Sequence, residues 1–146
     1  MKYSGLFTDL YELTMMQGYM LQDTNEEVVF DMFYRKQPFS GGYSIFTGLS
    51  DLLDRLENMF FSDDDIAYLQ SLKIFKEDFL IYLKDFKFSG SVYAMDEGSV
   101  IFPGEPLLRI HSTLMEAQLI ESLILNTINF QTLIATKAAR VAYASG

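Results

Sequence analysis

The chain has 146 residues, 49% of them hydrophobic and including 13 Phe and 9 Tyr, which is enough apolar side chain to build a core in one ordinary domain. A formal charge of -9 opposes binding along a polyanion, because such binding needs many Lys and Arg against phosphates, so nucleic acid is excluded as a partner. With no cysteine and one histidine, disulfides, thiolate chemistry and the usual zinc and triad constellations are excluded as well.

Lys2, Asp9 and Glu12 break up the opening segment, which therefore lacks the uninterrupted apolar stretch of a signal peptide. The uncharged run over residues 122–136 is shorter than the roughly 20 residues a membrane span needs, and it contains Asn126, Asn129 and Gln131. No membrane span is expected, and a cytoplasmic location is. The apolar fraction is high for so small a surface-rich chain, which implies a face that packs against another body.

Thr8 or Asp9 caps a first helix reaching about Met20, with Asp9 and Glu12 where negative charge suits a helix start. Residues 28–34 are β-branched and aromatic apart from Asp31 and predict a strand, followed by a loop over 35–42 and a short strand over 43–47. Apolar residues at helical spacing place two or three helices between 49 and 86, one of them starting at Ser62 and one following Glu77 and Asp78.

Short apolar runs at 92–94, 100–102 and 107–110, separated by Asp96-Glu97-Gly98 and Pro103-Gly104-Glu105-Pro106, predict an antiparallel meander. Thr113 and Glu116 have capping-box spacing ahead of a long helix with little polar face, and helical composition continues over 131–145. The fold class read from the residues is α+β, with helices at both ends and an antiparallel sheet between them.

From the residues alone no chemistry stands out. Phe39-Ser40-Gly41-Gly42-Tyr43 lacks the spacing and lysine of a phosphate loop and reads as a turn. Four ordered segments nevertheless carry a resemblance. They are Thr8-Asp9-Leu10-Tyr11-Glu12-Leu13-Thr14-Met15; Phe33-Tyr34-Arg35-Lys36-Gln37-Pro38-Phe39 with Gly41-Gly42; residues 97–108, containing Gly98 and Pro103-Gly104-Glu105-Pro106; and Glu121 with the stretch from Asn129-Phe130-Gln131 to Lys137-Ala138-Ala139-Arg140. Together they resemble the amino-terminal portion of the nicotinate phosphoribosyltransferase family.

That resemblance implies a reaction joining nicotinate to phosphoribosyl pyrophosphate, with ATP hydrolysis coupled through a phosphorylated histidine and Mg2+ as the ion. It also implies an amino-terminal α/β sandwich-type domain over residues 1–111, connecting helices over 112–146, and a phosphoribosyl-binding barrel beyond Gly146 that holds the catalytic histidine, so no catalytic residue is expected in this chain. The expected assembly is a homodimer sharing its active sites, or a complex with a complementing carboxy-terminal half. Within the chain the implied substrate-binding residues are Tyr11, which would reach the nicotinate ring across the dimer; Asp9, equally a helix cap; and Arg35 with Lys36, which would meet a phosphate or else form an exposed strand-end pair. His111 lies in the wrong motif to be the phosphorylated residue and reads as a helix-entry or surface group. Lys137 and Arg140, one helical turn apart, suit phosphates, an acidic surface or a structural role. The alternatives are a stand-alone oligomerising domain without catalysis, and a nicotinamide or quinolinate phosphoribosyltransferase fragment.

Overall fold

A computed structural model describes residues 3–146, and Lys2 lies outside them. Helices α1 (Leu10–Leu21), α2 (Leu49–Glu57), α3 (Asp63–Ser71), α4 (Glu77–Lys84) and α5 (Leu114–Ser145) are joined by seven strands. These are β1 (Tyr3–Ser4), β2 (Glu27–Phe33), β3 (Ser44–Ile45), β4 (Met59–Phe60), β5 (Ser91–Ala94), β6 (Val100–Ile101) and β7 (Pro106–Thr113). The fold is α+β, and of the two or three helices expected between 49 and 86, three form.

The expected meander does not. β7 lies at the centre of a three-stranded antiparallel sheet in the order β2-β7-β5, while β6 leaves it to pair with β3. The cause lies in the turn that precedes β6. Gly98, at φ 89°, donates its N–H to the Phe46 carbonyl, and Glu97 Oε1 accepts from Gly48 (2.5 Å) and Leu49 (2.9 Å) at the start of α2. That acidic turn thus supplies the N-cap that Gly48, without a side chain, cannot give α2. Ile101 is then drawn fully into the core beside Phe46.

The capping box at Thr113 does not form either. Thr113 has N-cap backbone angles but no side-chain cap bond. Asn25 Oδ1 caps from a distance by accepting the Met115 N–H at 3.0 Å, and Glu116 turns to accept the Ser89 hydroxyl at 2.8 Å. A more remote side chain has displaced the local pattern.

Helix α5 runs unbroken for 32 residues and organises the molecule. Its buried Leu119, Ile120, Leu123 and Ile128 share one core with Phe46, Leu52, Leu107 and Ile110. Two buried threonines fasten it to the β3 segment, on the side where no strand pairs among the described residues. Thr136 Oγ1 accepts the Ile45 N–H (2.9 Å), and Thr132 Oγ1 accepts from the Thr47 N–H and donates to the Thr47 carbonyl (both 3.2 Å). Around α3 and α4 an aromatic group of Phe61, Phe75, Phe79, Tyr82 and Phe86 fills the second part of the core. Among the described residues no helix is long and apolar enough to cross a membrane.

On the outer face of the sheet Asp31 and Arg109 sit opposite each other in register and form a two-point ion pair at 2.7 and 2.9 Å. The Arg109 guanidinium holds Asp31 below its usual 3.8. A depressed folded-state value means the pair stabilises the fold above the unfolded carboxylate range and ceases to as pH falls through the folded value. Asp31→Asn should therefore flatten the acid limb of a urea-unfolding series run from about pH 5 to about pH 2, by a small amount because both groups are partly exposed.

Candidate functional site

The start of α1 inverts the usual pattern of an amphipathic helix. Glu12 is completely buried, at 0% exposure, while its neighbour Tyr11 is 48% exposed. Leu10, Met15 and Phe7 are exposed as well, so the helix presents an apolar surface outward and a carboxylate inward. Burying an unpaired charge is costly unless donors surround it. Here they do: Glu12 Oε1 accepts the backbone N–H (3.1 Å) and hydroxyl (2.9 Å) of Ser122 on α5, and Oε2 accepts the Asp9 N–H (3.2 Å) and the Thr8 hydroxyl.

Asp9 is the N-cap residue of α1, and its carboxylate also lies 3.0 Å from the Ser122 hydroxyl. Tyr11 is therefore carried on a turn anchored at both Asp9 and Glu12. Partial loss of hydration raises the Tyr11 pKa, and the carboxylates of Glu121, Glu12 and Asp9 raise it further. The hydroxyl stays protonated at neutral pH and donates to Glu12 Oε1 at 3.5 Å, on a ring whose surroundings are negative.

Glu121 also lines a cleft of about 660 Å³ between β2 and α5. The other wall is residues 29–35, and Arg35 stands in the lining with Ile124, Leu125 and Asn129. Arg35 and Lys36 are exposed and form no ion pair or hydrogen bond among the described residues. The structure thus brings Asp9, Tyr11 and Glu121 together at the α1–α5 junction. Arg35 belongs to the wall of the same cleft, and Lys36 follows it into the loop.

His111 is not at the entry to a helix, because β7 runs through it to Thr113; it is exposed on the outer sheet face with its ring 5.1 Å from that of Tyr93. Lys137 is exposed. Arg140 lies over the loop that follows Lys36, its guanidinium carbon 5.6 Å from the Phe39 ring and 5.9 Å from the Tyr43 ring.

The chain matches the family model described as the nicotinate phosphoribosyltransferase N-terminal domain over residues 6–129. It belongs to the nicotinate phosphoribosyltransferase family. It is 46% identical to the nicotinate phosphoribosyltransferase of Bacillus subtilis over 138 residues, covering 94% of this chain and 28% of that protein. It is 43% identical to nicotinate phosphoribosyltransferase pncB2 of Mycobacterium tuberculosis over 141 residues, covering 97% and 30%. The crystal structure of human nicotinic acid phosphoribosyltransferase matches with a TM-score of 0.87 at 34% identity, covering 95% of this chain and 29% of that one. A nicotinate-nucleotide pyrophosphorylase from Pyrococcus furiosus shares the fold, at a TM-score of 0.62 and 19% identity. The chain therefore spans under a third of the length of these relatives.

Among the described residues no three His, Asp or Glu side chains converge as metal ligands, and the glycine pair at 41–42 carries no phosphate-loop lysine. Sequence reasoning also missed Ser122 and the buried state of Glu12. The spacing of Asp9 and Glu12 signals a helix start but carries no information on which residue of a distant helix lies beneath it.

Proposed function

We propose that this chain is the amino-terminal domain of a nicotinate phosphoribosyltransferase, which forms nicotinate mononucleotide and pyrophosphate from nicotinate and phosphoribosyl pyrophosphate. In this reading the chain lids the reacting centre and the rest of the enzyme binds the phosphoribosyl group. The supporting observation is Tyr11, held outward on an apolar surface by a buried carboxylate beneath it.

The Tyr11 ring stacks on the planar pyridine, adding roughly 0.5–1.5 kcal/mol to the apolar burial. As the pyridine nitrogen bonds to the ribosyl carbon it becomes cationic, and the negative potential from Asp9, Glu12 and Glu121 favours that charge. The same potential repels the substrate carboxylate, which orients the ring with its carboxylate away from α1. Arg35 and Lys36 meet a phosphate at the far end of the substrate by charge-assisted hydrogen bonds. Closure of the domain excludes water that would otherwise capture the ribosyl centre.

The test is a chimera in which this chain replaces the matching 28% of the Bacillus subtilis relative. The chimera should turn over nicotinate. Tyr11→Ala should lower kcat/KM for nicotinate by about tenfold or more, while Tyr11→Phe, which keeps the ring, should stay within about threefold. Equal turnover by the alanine and parent chimeras would remove Tyr11 from the site, and a folded chimera without turnover would favour an oligomerising domain without catalysis.

A further inference from the structure

In a chain that carries 20 acidic residues and a net charge of -9, Arg140 is notable for making no ion pair and no hydrogen bond among the described residues. A guanidinium has five N–H donors, and these have no acceptor among the described residues. The group is nevertheless held in place. It lies between the Phe39 and Tyr43 rings, where attraction to the ring faces fixes it without neutralising it. It also fills the space above Gly41 so closely that a methyl group there would fall on the guanidinium. A side chain at this position would require the guanidinium to move.

Phe39 and Ser40 both adopt left-handed backbone angles, at φ 58° and 51°, which non-glycine residues take at a cost. Gln37 braces the loop from below by donating to the Ile101 carbonyl at 2.8 Å and accepting the Ser44 hydroxyl at 2.5 Å. The backbone N–H groups of Gly42 and Tyr43 have no acceptor among the described residues, and the space at Gly42 is open. Arg35 and Lys36 lead into the loop, and Lys137 is one helical turn before Arg140. Four of the chain's 11 basic residues thus fall in these two segments.

We propose that Arg140, clamped over Gly41 by Phe39 and Tyr43, is a binding site for a phosphate or pyrophosphate group. A rigid planar fork beside free backbone N–H groups suits a tetrahedral oxyanion that accepts several hydrogen bonds at once, and the basic flanks make the local potential positive in an otherwise acidic molecule. The site is additional to the contacts assigned to Arg35 and Lys36 above, and it does not depend on the reaction proposed there.

The experiment is an NMR titration of the 146-residue chain with sodium pyrophosphate at constant ionic strength. It follows the Arg140 Nε–H resonance, assigned through the bonds of the labelled side chain. A saturable shift of that resonance is expected, with acetate producing none. In Arg140→Lys, which keeps the charge and loses the fork, affinity measured by calorimetry should fall about tenfold or more. Gly41→Ala, which displaces the guanidinium, should weaken binding in the same direction. An Arg140 resonance that does not saturate, or that moves as far with acetate, would overturn the site and leave Arg140 as a brace for the loop. Because the parent chain alone supplies that result, the conclusion does not hang on either variant folding. The chimera assay reads a separate property, so the two readings can fail independently.

Discussion

Glu12→Ala is expected to lower the unfolding free energy by about 3–4 kcal/mol. The carboxylate is fully buried and accepts from Thr8, Asp9 and both donors of Ser122. Removing it strands the buried Ser122 N–H, at about 1–3 kcal/mol, and leaves a void where the side chain was, while the Ser122 and Thr8 hydroxyls keep Asp9 Oδ2 and the Leu119 carbonyl as acceptors. Glu12→Gln should recover part of the loss, since one acceptor oxygen remains while the amide nitrogen faces donors. Ser122→Ala should cost less than either, and the double variant should fall short of the sum by about 1 kcal/mol or more, because both changes break the same contacts. Urea unfolding of the four proteins measures all of this. A loss below about 1 kcal/mol for Glu12→Ala would mean that water or another group satisfies these donors, and that Tyr11 is not anchored as described.

Thr132→Val should cost about 2–3 kcal/mol although the two side chains have nearly the same shape. The Thr132 hydroxyl is completely buried and serves both the N–H and the carbonyl of Thr47, as a neighbouring strand would. Valine leaves both backbone groups unpaired in an apolar setting. Thr136→Val exposes the same dependence at the Ile45 N–H with one group fewer, and should cost roughly half as much. Hydrogen exchange at the amides of Ile45 and Thr47 gives a local readout: faster exchange confined to these amides fits the assignment, whereas uniform acceleration would show that the helix has shifted as a whole.

Much of the fold was readable in the chain, because the signals that place its elements are local. The first helix starts at Asp9, the strand over 28–34 is there within a residue, and three helices fill 49–86. The 3.6-residue and 2-residue periods of the hydrophobic pattern depend on near neighbours, so a linear reading recovers them. The family was readable for a related reason: its motifs are contiguous words, and the match over residues 6–129 spans the first three of them and the start of the fourth.

Pairing and burial were not readable in the same way. Nothing within the run at 100–102 separates a third meander strand from β6, which pairs with β3; the choice turned on Gly98 reaching Phe46 and Glu97 reaching the start of α2, contacts about 50 positions apart in the chain. Thr113 and Glu116 had the spacing of a capping box, yet Asn25 and Ser89 were better placed to satisfy the same groups. Glu12 passed as a favourable first-turn charge, Arg140 as one of a basic pair, and Thr132 as one more helical residue. What distinguishes each is what lies against it from a distant segment: Ser122 under the carboxylate, Gly41 under the guanidinium, Thr47 against the hydroxyl. A side chain's hydrogen-bonding capacity is written in its own chemistry, but whether that capacity is met depends on which segments the folded chain brings within about 3 Å, and no local pattern encodes that.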